Sequence, residues 1–297
     1  MGDLLKDKVG IVTGSGRGIG RGVAMLMAAE GAKMVVNDLG GAVDGSGNSS
    51  SPADDVVDEI KAAGGDAVAN YDSVSTMEGG ENIVKTAIDN FGKLDIVVTP
   101  AGILRDRMVF NMTEQEWDDV IAVHLKGTFT VTKFACILFR QQRSGNIITF
   151  SSTSGLYGNS GQANYGAAKD GIAGYTRAIA RDMGRYGVRV NSISPGANSR
   201  MTATVPQSAR DIRASSGISG AARQQPKLEL RREPEDIAPF VTWLASDKAD
   251  GVNGQVFRVT GGEVSLMNNP EVARTITTQG RWSVDEIGAL FPGTLGL

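Results

Sequence analysis

The stretch Val9-Gly10-Ile11-Val12-Thr13-Gly14-Ser15-Gly16-Arg17-Gly18-Ile19-Gly20 decides the fold of this chain. A short apolar run enters a glycine-rich turn, and a helical pattern from Arg21 to Glu30 follows at once, with Gly31 as its C-cap. Glycines at such a junction permit positive φ and let a diphosphate approach the main chain and the N-terminus of the helix. The spacing is Thr13-Gly14-x-x-x-Gly18-x-Gly20. The G-x-G-x-x-G fingerprint fits no register of this turn, because Ile19, Arg21 and Val23 fall at its last position. A Walker A loop is excluded as well, since no Gly-Lys-Ser/Thr follows.

The next apolar run, Lys33 to Asn37, ends at Asp38, 18 residues past Gly20. A carboxylate there can accept both ribose hydroxyls of an adenosine and repels a 2′-phosphate, which favours NAD over NADP. Arg17 pulls the other way, because a basic residue in the turn could reach that phosphate. Strand-like runs at 9–13, 33–37, 66–70, 94–99, 145–150, 188–193 and 255–259 alternate with helical patterns near 18–30, 53–63, 77–91, 114–140, 163–186 and 235–246. That alternation predicts an α/β fold, a doubly wound parallel sheet (Rossmann), as a single domain over 1–265 with a C-terminal extension over 266–297.

A second constellation lies downstream. Tyr165 and Lys169 are four apart in a run that reads as helix, so their side chains share a face. An ammonium beside a phenol favours the phenolate and lowers the tyrosine pKa toward working pH, as a general base for an alcohol requires. Ser152 follows the strand-like run Asn146 to Phe150, where its hydroxyl can meet the reacting oxygen. Alone, a Tyr-x-x-x-Lys pair is a chance feature of solvated helices; the glycine turn gives it weight.

Taken together, Thr13-Gly14-x-x-x-Gly18-Ile19-Gly20, Ser152, Tyr165 and Lys169 resemble the short-chain dehydrogenase/reductase family, from about Lys6 to Gly262. Five stretches resemble in particular the (3R)-hydroxyacyl-CoA dehydrogenase domains of multifunctional β-oxidation enzymes and related bacterial dehydrogenases. These are Val36 to Gly41, Ala101 to Arg107, Val123 to Gly127, Tyr157 to Tyr165 and Ser199 to Thr202. The resemblance implies that Tyr165 exchanges the alcohol proton, that Lys169 holds the nicotinamide ribose and that Ser152 orients the substrate oxygen. It places Gly14, Arg17, Gly18, Ile19, Gly20, Ala101 and Gly102 on the cofactor, Asp72 on the adenine, and Pro195-Gly196 on the nicotinamide face.

The chain departs from the family pattern twice. Thr99-Pro100 replaces the usual Asn-Asn before Ala101-Gly102, and Pro100 has no N–H and restricts Thr99. His124 stands where most members have an asparagine that holds a water through its main-chain carbonyl. A structural or relay duty is expected for it rather than direct proton abstraction.

Composition bounds the rest. A chain of 297 residues, 41% hydrophobic with net charge −3, can bury a large core and gives no whole-chain reason to expect nucleic acid. One histidine and one cysteine, Cys136, preclude an internal disulfide and a structural zinc site. The N-terminal residues lack a signal-peptide core, no run approaches the ~20 apolar residues of a membrane span, and a cytoplasmic protein is expected.

Gly40 to Pro52 reads as a tolerated surface insertion beside the adenosine rather than a grip on a ligand. Asn198 to Glu233, the expected substrate lid, carries seven Arg or Lys (Arg200, Arg210, Arg213, Arg223, Lys227, Arg231, Arg232) against Asp211, Glu229 and Glu233. Arginine forks there suit the phosphates of a CoA tail, and equally a solvated face. The extension, with Trp282 and Phe291, is expected to pack on the core or on a neighbouring subunit.

The expected function is NAD-dependent interconversion of a secondary alcohol and a ketone, with a (3R)-3-hydroxyacyl-CoA thioester as substrate and no metal. A hydroxysteroid or alicyclic alcohol dehydrogenase is the alternative, and a non-catalytic dinucleotide-binding module a remoter one. The resemblance also implies a homo-oligomer, tetramer or dimer.

Overall fold

All five residues of Val9–Thr13 (β1) are buried, as a strand covered by helices on both faces requires. The computed structural model describes residues 2–197 and 232–295. Successive side chains along the strands feed two cores. Val12, Met34, Val36, Val98 and Ile148 pack on one face of the sheet, and Ile11, Val35, Val97, Ile147 and Val190 on the other. Removing one of these side chains to Ala costs about 2–5 kcal/mol.

Among the described residues the sheet has eight strands in the order β3-β2-β1-β4-β5-β6-β7-β8. They are β2 (Lys33–Asn37), β3 (Asp66–Asn70), β4 (Ile96–Thr99), β5 (Gly145–Phe150), β6 (Val188–Pro195), β7 (Val256–Thr260) and β8 (Glu263–Leu266). All pairs are parallel except β7 with β8, where Val259 faces Val264. β1 lies between β2 and β4, with Gly10 opposite both Met34 and Ile96, and there the strand order reverses. The carboxyl ends diverge at that point and open a crevice. The antiparallel β8 is a departure from the expected pattern. Its half-buried and exposed residues alternate, and four residues make too short a period to stand out in the sequence.

Helices cover both faces: α1 (Gly18–Ala29), α2 (Ser51–Ala62), α3 (Met77–Phe91), α4 (Glu114–Ile121), α5 (Gly127–Gln142), the short α6 (Thr153–Leu156), α7 (Ala163–Gly184) and α8 (Ala238–Ala245). Gly31 follows α1 at φ 94, a left-handed stop that a β-carbon would strain. The single helix expected over 114–140 is interrupted by a π-helical turn, Ala122–Lys126, that carries His124. Such a turn adds a residue to the helical circuit and re-aims side chains, which periodicity alone does not reveal.

The helical stretch 114–142 is, contrary to expectation, long and apolar enough to cross a membrane. In the fold it is a core element, with Val131, Ala135 and Phe139 buried against the sheet. Residues 1–267 form one unit and 268–297 a second. Within the second, α9 (Val284–Thr294) begins with a reciprocal capping box between Ser283 and Glu286. Most of the basic segment 198–233 lies outside the described residues.

Candidate active site

A cleft of about 1040 Å³ opens along the carboxyl ends of the strands. Every residue expected at the site lines it: Gly14, Arg17, Gly18, Ile19, Gly20, Asp38, Asp72, Ala101, Gly102, His124, Ser152, Tyr165, Lys169, Pro195 and Gly196. At one end the glycine turn forms a cradle. Gly14 and Gly18 adopt φ of 59 and 56. A β-carbon on Gly14 would come within 2.7 Å of Ala101 Cα, and one on Gly20 within 2.3 Å of Gly14 O. A β-carbon on Gly18 would instead meet nothing within 4 Å. Two glycines are therefore needed for packing, and the third leaves open the space a diphosphate would take at the head of α1. The turn fits a dinucleotide.

Asp38 stands at the end of β2 with its carboxylate fixed by the main chain. Gly16 N–H donates to Oδ2 and Gly40 N–H to Oδ1, both at 2.7 Å. Arg17 Nη1 donates to Gly41 O at 3.3 Å. Asp72 accepts from Asn70 Nδ2 and Asn82 Nδ2, which fixes its carboxylate beyond β3. Residues 42, 43 and 45 also line the cleft, and Leu104 N–H donates to Val43 O at 3.0 Å. Residues 41–45 therefore contribute a wall of the site, which a surface insertion alone does not imply, while 46–50 are exposed. Small polar residues write no periodic pattern, so nothing in the sequence showed which way this loop folds.

At the other end Ser152, Tyr165 and Lys169 converge. Ser152 caps α6 through a 3.2 Å bond from Ser154 N–H, and its hydroxyl pulls the Tyr165 phenol pKa downward. Lys169 is buried, with Nζ donating to Phe150 O at 2.7 Å and lying 5.6 Å from the Tyr165 ring centroid. Burial pushes the Lys169 ammonium down to about 7. It also pushes the Tyr165 phenol up to about 12, against the downward pull of Ser152. The expected lowering of the phenol by its lysine is thus not what this geometry gives. Desolvation outweighs an ammonium that spends its hydrogen bond on a carbonyl.

The His124 ring is buried, with Nε2 2.8 Å from Ile103 O and Nδ1 unpartnered among the described residues. Burial first, and the Lys169 charge second, lower its pKa to about 3, so it is neutral. Nε2 faces both Ile103 O and Ile103 N–H, the latter at 3.1 Å, so one tautomer donates to the carbonyl and the other accepts from the amide. Glycine at 102 is required, since a β-carbon there would fall 2.1 Å from His124 Cε1. On the Thr99-Pro100 side, Ala101 N–H reaches Thr13 Oγ1 at 3.4 Å, and Thr99 Oγ1 is buried without a partner among the described residues.

The family model described as enoyl-(acyl carrier protein) reductase matches residues 14–263, which span both the glycine turn and the Ser152, Tyr165 and Lys169 cluster. The chain belongs to the short-chain dehydrogenase/reductase family. It is an oxidoreductase of that family, whose members use NAD or NADP. It is 41% identical to a hydroxyacyl-CoA dehydrogenase of Mycobacterium tuberculosis over 96% of this chain and 87% of that one. Peroxisomal multifunctional enzyme type 2 of Mus musculus is 44% identical over 88% of this chain, which spans 32% of that enzyme. A crystal structure of a short chain dehydrogenase from Mycobacterium avium superposes with a TM-score of 0.83 at 41% identity, covering 99% of this chain and 96% of that chain. As a short-chain dehydrogenase/reductase, the protein bears its cradle, carboxylate and tyrosine–lysine pair on one continuous crevice.

Proposed function

We propose that this protein is an NAD-dependent dehydrogenase of (3R)-3-hydroxyacyl-CoA thioesters. The observation that carries the reading is the convergence of Ser152, Tyr165 and Lys169 at one end of a cleft whose other end presents Asp38. Asp38, held by two main-chain donors, would accept the adenosine ribose hydroxyls and repel a 2′-phosphate. The bound nicotinamide supplies the hydride acceptor.

The chain's own residues manage the proton. Ser152 Oγ, which lines the same cleft as Tyr165, receives the substrate oxygen beside the phenol. As a phenol, Tyr165 donates to a developing alkoxide in the reductive direction; as a phenolate it withdraws the hydroxyl proton in the oxidative one. Support for a CoA thioester comes from the similarity to enzymes named for hydroxyacyl-CoA, and from Arg232 on the cleft wall at the edge of the basic segment. A carrier-protein thioester, the chemistry in the family model's description, is the other form the same acyl group takes.

An assembly through α4 and α5 belongs to the same proposal. Trp117, Phe129 and Ile137 leave about two-fifths to one-half of their surface exposed on those helices. Sedimentation as a monomer would remove that part alone.

The deciding experiment is the initial rate of NADH formation from NAD with a (3R)-3-hydroxyacyl-CoA, the same acyl group on a carrier protein, the free hydroxy acid and a hydroxysteroid. The expected result is a rate that depends on the CoA moiety. Turnover of the steroid alone discards the substrate and keeps the chemistry, and cofactor binding without turnover of any substrate discards both.

A further inference from the structure

A chain of polar side chains runs along the substrate side of the cleft. Gln162, buried just before α7, donates from Nε2 to Asp106 Oδ2 at 2.8 Å. Its Oε1 accepts from Asn159 Nδ2 at 2.7 Å and from the Ser154 hydroxyl at 2.9 Å. Asn159 Nδ2 also reaches Ser154 Oγ at 3.2 Å, and Ser154 N–H donates to Ser152 Oγ at 3.2 Å. Ser152, Ser154, Asn159 and Gln162 all line the cleft, while Asp106 is exposed and joins them through Gln162.

The direction of every bond follows from the carboxylate. An ionised carboxylate only accepts, so Gln162 must turn its amide nitrogen toward Asp106 and its oxygen toward the loop. That oxygen then requires donors from both Asn159 and Ser154. Ser154 thus spends its proton on Gln162 and accepts from Asn159. Ser152 Oγ takes the Ser154 N–H as an acceptor, and its own proton is left for Tyr165 or the substrate oxygen.

The segment bearing Asp106 is itself anchored. Arg107 N–H donates to Gly161 O at 2.8 Å, and the fully buried Asn164 donates to Arg105 O and Glu116 O.

We propose that Asp106 is a positioning residue for the Ser152–Tyr165 pair, acting through Gln162 to set the hydrogen-bond polarity of the loop 152–162. The proposal rests on the functional reading above and assigns this residue a role within it. Asp106 also acts on Tyr165 through space, its negative charge opposing the phenolate. Among the described residues, the other charged groups on the elements packed around Tyr165 include Lys169 on its own helix, and Glu116 and Asp119 on α4, which are paired with Arg107 and Arg105. His124, on the π-helical turn, is neutral.

The test uses Asp106→Asn, Gln162→Glu and the double variant in the full-length protein. Asp106→Asn lets the Gln162 amide reverse, and Gln162→Glu sets carboxylate against carboxylate. Each single change lowers kcat about tenfold, the scale of a small misplacement of reacting groups, with KM for NAD unchanged. In the double variant the amide introduced at 106 donates to the carboxylate introduced at 162, whose oxygens still accept from Ser154 and Asn159. Most of kcat then returns, a non-additivity that merely structural damage does not produce. Gln162→Glu alone also regains activity toward acidic pH, as its carboxyl becomes a donor again.

A readout independent of substrate is the ultraviolet titration of the Tyr165 phenol, taken against Tyr165→Phe, whose midpoint falls in Asp106→Asn. Wild-type kcat in Asp106→Asn, or a double variant whose loss is the product of the single losses, overturns the proposal. If the wild-type protein turns over no substrate the functional reading fails instead, and the phenol midpoint alone decides the coupling: a fall sustains it and an unmoved midpoint overturns it.

Discussion

The imidazole of His124 stands edge-on to the Tyr165 ring, with centroids 5.1 Å apart and planes at 86°. The only histidine of the chain thus supports the phenol from behind while its own nitrogen is tied to Ile103. A neutral, buried ring in this place can hold a tyrosine and is badly placed to take a proton. Its effect on stability follows from linkage. The folded-state pKa of about 3 lies below the ordinary 6.5, so between those values the unfolded chain binds more protons than the folded one. Stability therefore rises as pH climbs from about 3 to 6.5 and is lost on acidification through the same window. In His124→Asn, the residue most family members carry, that dependence should flatten by one proton, with kcat retained within about tenfold as for a supporting contact. Denaturant midpoints across the window, beside initial rates, check both. A loss of activity as large as that of a tyrosine variant would make the imidazole a proton carrier.

Tyr165 is protonated at neutral pH in this geometry, its phenol lying at about 12. Alcohol oxidation, which needs the phenolate, should accelerate with rising pH, whereas ketone reduction should be favoured toward neutrality. Tyr165→Phe should lower the rate in both directions by about 10²–10⁴-fold, the usual worth of a positioned acid or base. Cofactor affinity by calorimetry should stay nearly unchanged. Rates independent of pH together with an active phenylalanine variant would remove Tyr165 from the chemistry.

Lys169 carries a destabilising charge below its folded pKa. That pKa falls to about 7 from 10.5, so from about 7 to 10.5 the unfolded chain binds the extra proton and wild-type stability increases with pH. Below about 7 the full penalty is present, and above 10.5 it is gone. Relative to Lys169→Met, the wild-type protein should gain up to about 1.4 kcal/mol per pH unit inside the window. Removing the bond to Phe150 O adds a pH-independent offset that leaves the slope alone. Parallel curves for the two proteins would mean that the lysine is solvated in solution.

Thr99 buries a hydroxyl without a partner among the described residues, at the end of β4. Val is nearly isosteric and returns no unpaired group. Thr99→Val should leave stability unchanged or raise it by up to about 1 kcal/mol. A loss beyond that, measured by thermal unfolding, would show that the hydroxyl is satisfied in solution.

Much of this protein is set by local sequence. The apolar run of β1, the glycine turn and the length of each strand–helix repeat follow from short-range rules, and those rules determine a parallel sheet with its crevice at the reversal of strand order. Tyr165 and Lys169 share a helical face because four residues make one turn. Local spacing likewise marked the glycine turn, Asp38, Ser152, Tyr165 and Lys169 as candidates, whereas Asp72, Ala101, Gly102, Pro195 and Gly196 were expected only through the family resemblance.

Other features depend on long-range packing. The π-helical turn that aims His124 at Tyr165, the folding of residues 42–45 onto the cleft and the antiparallel β8 arise from contacts between segments far apart in the chain. So does the balance at Tyr165, where desolvation by elements from across the fold overrides the nearby lysine. Asp106 and Gln162 lie 56 residues apart and meet only because β5 and α7 bring the loop 152–162 against the segment after β4. Periodicity reports which face a residue takes within its own element; which partner it finds there is decided by the closing of the sheet.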